Sequence, residues 1–325
     1  MEFYLAPMEG LTGHIVRNAF HHNFNQIDKY YTPFIPAAKG MSKKIERDIH
    51  PDNNKGIKVI PQIMSNKADE VIHLGKQLRE YGYDEININF GCPSGTVSSK
   101  KRGSGFLAYP DEMEAFLDDL FSRIDIKISI KTRVGYTDDN DWKRIAEIYS
   151  RYPICELTVH PRIRTDFYKP ILRLNDFAIA VDTINQKQTP LCYNGDIVDK
   201  ESFFRISEQF STVERFMIGR GLIARPGLIM DIKGELTDME DYRKRLRAYH
   251  DEIVNEYQQL YQGQKDTLYR MKEHWSYLHN NFHDCDKYLK KIKKSQNLTE
   301  YGLIVNAIFN DCDIKMGEFT HIKSY

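Results

Sequence analysis

The sequence predicts an α/β protein, a TIM (β/α)8 barrel with a C-terminal all-α helical domain. Eight short β-rich runs alternate with helix-like segments over the first part of the chain, which suits a barrel of about 250 residues. Polar or turn-forming residues follow most of these runs, and long helical periods replace the strands after Gly227. A doubly wound sheet is the alternative, since the alternation alone does not distinguish a closed sheet from an open one.

The predicted strands are short runs rich in apolar and β-branched residues. They are Phe3–Pro7, Lys29–Phe34, Val59–Met64, Glu85–Phe90, Ile126–Thr132, Glu156–His160, Pro190–Asn194 and Arg215–Gly219. Amphipathic stretches such as Ala68–Tyr81 and Asp111–Ile124 have helical spacing and separate the strands. In a barrel, the carboxyl ends of all strands share one face, and active sites are built there.

Polar residues recur at or after seven of the eight strand ends. They are Met8-Glu9, Gln62, Asn89 with Cys92, Lys131 with Arg133, His160 with Arg162, Asn194-Gly195-Asp196 and Gly219-Arg220-Gly221. Ordinary solvated strand ends would also be polar. However, a Gln or Lys inside an apolar strand is costly unless it has a partner. The recurrence at corresponding positions therefore favours a single site.

The C-terminal part is predicted to be a separate domain with its own bundle core. Its helical periods are Tyr242–Tyr261, Thr267–Phe282, Cys285–Lys294 and Glu300–Phe309, after a hinge at Gly234–Asp238. The predicted domains are thus residues 1–235 and 239–325. Arg270 and Lys272 alternate with aromatic residues, which favours RNA contact. Runs of basic residues on helices are, however, more often faces exposed to solvent.

Composition limits the classes of function. Lys plus Arg and Asp plus Glu both number 46, so nucleic-acid contacts must come from local patches. The five cysteines contain no CxxC pair, which argues against a disulfide framework or a zinc site. Neither a signal peptide nor an apolar run of about 20 residues occurs. We expect a soluble, cytoplasmic monomer with no metal and no membrane partner.

Cys92 stands where a strand ends, between Gly91 and Pro93. A polar loop follows through Lys100, Lys101 and Arg102 to the glycines of Gly103–Gly105, and we expect it to be mobile. Structural cysteines usually lie inside apolar runs, where they act as small hydrophobes. The position of Cys92 favours a chemical role instead.

The last two strand ends predict a phosphate site. Loops after strands seven and eight of barrels often bind phosphate, and Arg220 adds a permanent charge beside two glycines. Lys131 would suit the electron-rich edge of a reduced flavin, and Gln62 offers both a donor and an acceptor to an imide-like ring. FMN fits better than a dinucleotide, because no GxGxxG follows any strand.

Several motifs together carry a family resemblance. They are LAPMEG at Leu5–Gly10, Gln62, NFGCP at Asn89–Pro93, the later GSGFL, KTRVG at Lys131–Gly135, HPR at His160–Arg162, NGD at Asn194–Asp196, GRG at Gly219–Gly221 and RMKEHWSYL at Arg270–Leu278. In this order the chain resembles the tRNA-dihydrouridine synthase family over its whole length. HPR departs from the HGR of many members, so the loop after strand six is expected to differ.

The resemblance implies FMN-dependent reduction of uridine in tRNA to 5,6-dihydrouridine, with NADPH as reductant. Hydride would pass from flavin N5 to uracil C6, and Cys92 would be the general acid that protonates C5; a thiol with a pKa of about 8.5 is mostly protonated near neutrality. The implied cofactor-binding residues are Pro7, Met8, Glu9, Gln62, Lys131, His160, Asn194, Gly195, Asp196, Gly219 and Arg220. The expected substrate-binding residues are Asn89, Lys100, Lys101, Arg102, Arg162, Arg270 and Lys272.

Two other functions stay open at this stage. One is an FMN barrel that acts on a small molecule of the dihydroorotate or enone type, which leaves the helical domain without a purpose. The other is a non-catalytic RNA-binding protein on a barrel scaffold, which would need neither a flavin nor Cys92. The sequence does not indicate which uridine would be modified.

Overall fold

A parallel β-sheet with helices around it is the centre of the structure, a computed structural model that describes residues 1–184, 189–261 and 263–315. The strands are β1 Glu2–Leu5, β2 Lys29–Tyr31, β3 Ile35–Pro36, β4 Val59–Ile60, β5 Gln62–Met64, β6 Glu85–Phe90, β7 Lys127–Gly135, β8 Glu156–Ile163, β9 Leu191–Tyr193 and β10 Arg215–Ile218. The helices are α1 His14–Asn23, α2 Lys43–Ile49, α3 Ala68–Glu80, α4 Gly95–Ser98, α5 Pro110–Arg123, α6 Trp142–Tyr149, α7 Leu174–Ile184, α8 Lys200–Gln209, α9 Arg220–Ala224, α10 Leu228–Ile232, α11 Met239–Leu260, α12 Gln264–Leu278, α13 Asp286–Lys294 and α14 Leu298–Asp311.

The sheet closes into the predicted barrel. Its strand order is β3-β5-β6-β7-β8-β9-β10-β1-β2-β4, so β3 and β4 are the two ends of the order. However, β4 and β5 are pieces of one strand separated only by Pro61, and β2 pairs with β4 just as β3 pairs with β5. The ten pieces therefore occupy eight strand positions around a ring, which confirms the TIM barrel.

Alternation along β6 separates an outer apolar face from an inner polar one. In β6, Ile86, Ile88 and Phe90 belong to the large apolar cluster that includes the surrounding helices. The intervening Asn87 and Asn89 form hydrogen bonds to side chains of neighbouring strands inside the barrel. The polar residues of the strands thus face one another within the ring, as the period of two requires.

Prolines explain where the strands differ from the prediction. Pro61 has no N–H, and the predicted strand Val59–Met64 is divided there into β4 and β5. Pro161 does not end the sixth strand: β8 continues to Ile163 beside a β7 that reaches Gly135. Their pairing shifts register between Arg133 and Gly135. The two strands therefore extend beyond the predicted ends at Thr132 and His160.

The helical region, α11–α14, packs against the barrel, and its division from the barrel as a separate domain stays a prediction. One apolar cluster includes both the barrel helices and α11–α14. Phe20 of α1 packs edge-on against Tyr249 of α11, with ring centroids 4.9 Å apart, and Phe24 contacts the same tyrosine. Asp238, in the predicted hinge, caps α11 by accepting the backbone N–H groups of Glu240 and Asp241. Positions 316–325 of the predicted domain lie outside the described residues.

Two predicted absences can be examined in the described part of the chain. Within residues 1–184, 189–261 and 263–315, every helix is too short or too polar to cross a bilayer. Over the same ranges, no group of His, Cys, Asp or Glu side chains has the arrangement of a metal site.

Candidate active site

A pocket of about 330 Å³ opens at the carboxyl ends of the strands. Its wall contains Cys92, Asn89 and all eleven predicted cofactor-binding residues: Pro7, Met8, Glu9, Gln62, Lys131, His160, Asn194, Gly195, Asp196, Gly219 and Arg220. These residues come from all parts of the barrel, and only the closed fold brings them together.

A chain of side-chain amides crosses the floor of the pocket. Gln62 donates from Nε2 to Asn87 Oδ1 (2.8 Å), and Gln62 Oε1 accepts from Asn89 Nδ2 (2.6 Å). Asn89 Oδ1 in turn accepts the backbone N–H groups of Gly91 and Cys92, both at 2.9 Å. Asn89 therefore holds the turn that carries Cys92, in addition to lining the pocket.

The segment after Cys92 contains short helical turns, and its glycine-rich end is packed against the Cys92 backbone. It contains α4 and a 3₁₀ turn at Gly103–Ala108 whose first five residues are buried. The carbonyl of Cys92 accepts Ser104 N–H (3.1 Å) and Ser104 Oγ–H (2.7 Å). Gly103 has φ +55°, and a Cβ there would lie 2.9 Å from Cys92 O. The glycines thus permit close packing that fixes the Cys92 backbone.

The Cys92 thiol is half-buried at the wall of the pocket. Burial raises the pKa of this thiol above its usual value, although the Ser94 backbone N–H and the nearby Arg133 and Lys131 oppose the rise. The thiol therefore stays protonated at neutral pH, as a proton donor must.

Lys131 is a cation directed into the pocket with no ion pair or hydrogen bond to the described residues. Burial and the neighbouring Arg133 lower its pKa to about 7. A half-buried ammonium without a partner is disfavoured, so this position favours a ligand with an electron-rich edge.

His160 is neutral, and its tautomer follows from its partner. Arg162 Nη1 lies 2.9 Å from His160 Nε2, and because a guanidinium only donates, Nε2 must accept. Burial, together with Arg133, Lys131 and other cations, lowers the pKa of His160 well below its usual value. The ring thus carries its proton on Nδ1.

Arg162 lies beneath the predicted phosphate loops, fully buried. It forms an ion pair with Asp196 (2.5 Å), whose other oxygen accepts from Arg220 Nη2 (2.6 Å). The two guanidinium groups lower the pKa of Asp196 although burial opposes them. With no exposed surface, Arg162 is placed to orient Asp196 and Arg220 and not to reach a substrate in solution.

The other predicted substrate residues lie outside the pocket wall. Lys100 and Lys101 are in the segment after Cys92, where Lys101 forms an ion pair with Glu112 (2.6 Å). Arg102 pairs with Glu70 at 3.3 Å. Arg270 donates to the carbonyl of Gly10 (3.2 Å), close to the pocket, and Lys272 donates to Ser295 O (2.6 Å) within the helical region.

Four wall residues with polar side chains, Arg133, Tyr168, Glu273 and Tyr277, were not among the predicted site residues. Arg133 is buried and donates to the carbonyls of Gly91, Ile163 and Phe167, each at 2.9 Å, so it ties the Cys92 turn to the loop after β8. Tyr168 lies in that loop, with the guanidiniums of Arg220 and Arg133 4.9 and 5.6 Å from its ring centre.

The other two missed residues, Glu273 and Tyr277, come from α12 of the helical region. Their spacing of one helical turn within RMKEHWSYL places both on one face, which was the available signal. Burial raises the pKa of Glu273, although Arg270 beside it acts in the opposite direction. The barrel alone therefore does not form the whole pocket.

Known proteins share this architecture and sequence. The model of the dihydrouridine synthase family matches residues 4–311. The chain belongs to this family. Relatives include the probable tRNA-dihydrouridine synthase 2 of Bacillus subtilis, 28% identical over 69% of this chain and 70% of its own length. Another is the tRNA-dihydrouridine(16) synthase of Neisseria meningitidis, 23% identical over 95% of both chains.

Solved structures agree on the fold. Morphinone reductase superposes with a TM-score of 0.53 at 10% identity, over 74% of this chain and 88% of its own. Its complex with tetrahydroNAD gives a TM-score of 0.51 over 90% of that chain. At this identity the likeness supports the barrel and nothing finer.

Proposed function

We propose that this dihydrouridine synthase reduces uridine in tRNA to 5,6-dihydrouridine, with FMN as its flavin and NADPH as reductant. The single observation that carries the proposal is the pocket at the strand ends. It combines an unpartnered cation, a chain of amides and a protonated thiol in one cavity of about 330 Å³.

The donor set fits a flavin mononucleotide. Arg220 and the backbone around Gly195 and Gly219 form one end of the pocket, which suits a single phosphate. Asp196 is anionic and engaged by two arginines, so it orients Arg220 and would not itself contact a phosphate. Lys131, Gln62 and Asn89 at the centre offer donors and acceptors to a ring edge.

Each residue then has a distinct task in the reaction. FMN, when bound, supplies the hydride that reaches C6 of the uracil. Lys131 stabilises negative charge at the adjoining ring edge, and Gln62 orients that edge. Cys92 delivers its proton to C5, because its raised pKa keeps the proton on the thiol until carbon needs it. Arg133 and Asn89 hold the Cys92 turn in place.

The relatives support tRNA as the substrate, since those that match most of their own length carry tRNA-dihydrouridine synthase in their names. A uridine in folded tRNA must leave its stack to enter such a pocket, at a cost of a few kcal/mol. Glu273 and Tyr277 bring the helical region to the pocket, so this region is suited to contact the tRNA around the target.

The proposal is tested with purified protein, NADPH and an unmodified tRNA transcript. We expect dihydrouridine at defined positions, detected by mass spectrometry of nuclease digests, and a released flavin with the mass of FMN. A protein that reduces small enones or oxidises dihydroorotate but leaves tRNA unchanged would favour the small-molecule alternative. A colourless protein that binds tRNA would favour the non-catalytic one.

A further inference from the structure

A second cavity of about 400 Å³ adjoins the candidate active site. It lies between the start of α1, helix α2, β3 and the ends of α11 and α12 that face each other. Glu9, Pro33 and Phe34 belong to both cavities, so they form a common wall. We call this second cavity the flanking pocket.

Aromatic rings line opposite sides of the flanking pocket. Tyr257 and Tyr261 of the helical region are stacked, with centroids 5.8 Å apart and planes at 20°. Phe34 comes from the barrel side, and both it and Tyr261 are only half-buried. Planar rings that keep exposed surface can stack on a nucleobase, independently of its identity.

Cations lie beside these rings. Lys44 and Arg47 of α2 and Arg270 of α12 all line the flanking pocket. Among the residues that the structure describes, neither Lys44 nor Arg47 has an ion-pair partner, and Arg47 Nε is buried without a hydrogen bond. The one aspartate in the wall, Asp48, is already engaged by Arg17 (3.2 Å) and His14 (3.3 Å). Glu9 also lines the cavity, and Arg270 is paired with Glu273 (3.6 Å), so Lys44 and Arg47 are the cations of the wall that no acidic side chain engages among the described residues.

We propose that the flanking pocket binds a nucleotide of the tRNA next to the target uridine, with its base against Tyr261 and Phe34 and its phosphate on Lys44 and Arg47. The inference rests on the proposed function, because it assigns a place to a second nucleotide of that substrate. Adjacent nucleotides of one strand can occupy cavities that share a wall. Stacking in the flanking pocket would offset part of the cost of unstacking the tRNA.

The structure favours RNA over the dinucleotide reductant as occupant. Four of its nineteen lining residues, Tyr257, Leu260, Tyr261 and Arg270, come from the helical region, and transfer from a small reductant does not require such a region. Both ligands contain a nucleotide, however, so the test must separate them.

The first test is the double variant Lys44→Ala/Arg47→Ala, with Lys43→Ala as the matched control. Lys43 is an exposed neighbour on the same helix and does not line the pocket. We expect the Kd for unmodified tRNA to rise about tenfold, and the slope of log Kd against log salt to become shallower by about one for each phosphate that the variant no longer neutralises. Reduction of the bound flavin by NADPH, without tRNA, should keep its wild-type rate.

The second test separates stacking from charge. Tyr261→Ala should weaken tRNA binding about tenfold with little change in the salt slope, whereas Tyr261→Phe, which keeps the ring, should bind like wild type. If Arg47 proves necessary for folding, Lys44→Ala alone tests the phosphate contact, because Lys44 is exposed.

Unchanged tRNA binding in the charge and stacking variants would overturn the inference. Slower reduction by NADPH with normal tRNA binding would also overturn it, because the pocket would then hold the reductant. Failure of the proposed function is seen separately: the wild-type protein would then make no dihydrouridine in the same transcript. If the wild type makes dihydrouridine and the variants bind tRNA as it does, the proposed role of the flanking pocket is refuted and the proposed function is not.

Discussion

The two ends of the barrel both contain networks of paired polar groups, but the carboxyl end also has a cation, Lys131, without a partner among the described residues. At the amino ends of the strands, Glu156 accepts from Tyr4 (2.9 Å), Tyr31 (2.8 Å) and Lys29 (3.0 Å). At the carboxyl ends, Lys131 is directed into the pocket without any such partner among the described residues. Burial and pairing of polar groups are common to both ends, so the unpaired Lys131 ammonium, at the wall of an open pocket, is the feature that favours a ligand site at the carboxyl end.

The difference has an energetic basis. A buried charge that is fully paired costs little to keep and much to break, because its loss leaves the partners unsatisfied. A buried charge without a partner costs stability until a ligand neutralises it. Substitutions at the two ends should therefore change stability in opposite directions, and binding should respond only at the carboxyl end.

The largest effect on stability is expected at the amino end. Glu156→Leu removes the acceptor of the buried Tyr31 hydroxyl and the nearer carboxylate of Lys29, which keeps only Glu85 at 3.9 Å. Tyr4 keeps Glu2 as an acceptor (2.7 Å). The free energy of unfolding should therefore fall by about 3–5 kcal/mol. Urea unfolding measures this loss. Glu156→Gln, which keeps an acceptor oxygen, should lose less. If Glu156→Leu were as stable as wild type, the network at the amino end would not be structural.

In contrast to Glu156→Leu, Lys131→Met should keep the stability of the protein and lose affinity for FMN. Removal of an unpaired buried cation should leave the flavin-free protein at least as stable as wild type, because its charge is disfavoured there. The affinity for FMN should fall by about 1.5–3 kcal/mol, the usual worth of a hydrogen bond to a charged group. Calorimetric titration of the flavin-free protein measures the affinity, and lower stability of the variant would contradict the account.

The pKa of Lys131 predicts that FMN affinity depends on pH. The pKa of Lys131 is about 7 without ligand. A ligand that binds the ammonium form raises the pKa of Lys131 in the complex. The contribution of the ammonium to ligand affinity is therefore complete below about pH 7 and is lost as the pH rises through the higher pKa of the complex. FMN affinity should thus decrease from pH 7 to 9 in the wild type relative to Lys131→Met. Parallel pH profiles of the two proteins would show that the lysine does not contact the flavin.

Arg220→Ala tests the phosphate end of the pocket. Loss of its charge-assisted contact should weaken FMN binding by about 1.5–3 kcal/mol, partly offset because Asp196 keeps Arg162 as partner. Riboflavin, which has no phosphate, should bind the variant and the wild type equally. Arg205→Ala, an exposed arginine on α8, is the matched control. Equal weakening for both flavins would mean that Arg220 does not bind the phosphate.

The smallest effect, on tRNA binding, is expected from substitution of charged residues that are exposed to solvent. Lys290, Lys291, Lys293 and Lys294 of α13 are all exposed to solvent. Neutralising them together should raise the Kd for tRNA modestly and flatten its salt dependence, since phosphate contacts release counterions. Reduction of the flavin by NADPH should not change. An unaltered salt slope would exclude this face from the tRNA contact.

The barrel could be predicted from local sequence, and most residues of its pocket from polar strand ends together with the family resemblance. Strand periodicity marks Ile86, Ile88 and Phe90 as the outer face, and polar residues at strand ends mark Gln62 and Lys131 as inner ones. Packing between distant segments could not be read in this way. The contact of Phe20 with Tyr249 and the burial of Arg162 under Asp196 both depend on the tertiary fold. The same holds for the entry of Glu273 into the pocket.

We propose that the pocket at the carboxyl end carries out the reduction of uridine, with the Cys92 thiol as the acid. Rapid mixing of Cys92→Ala with NADPH and then with tRNA tests it most directly. The variant should retain FMN and be reduced by NADPH at the wild-type rate, because the thiol acts only when C5 of the uracil is protonated. Reoxidation by tRNA should slow by about 10²–10⁴, the usual contribution of a general acid. Reoxidation at the wild-type rate would contradict the account.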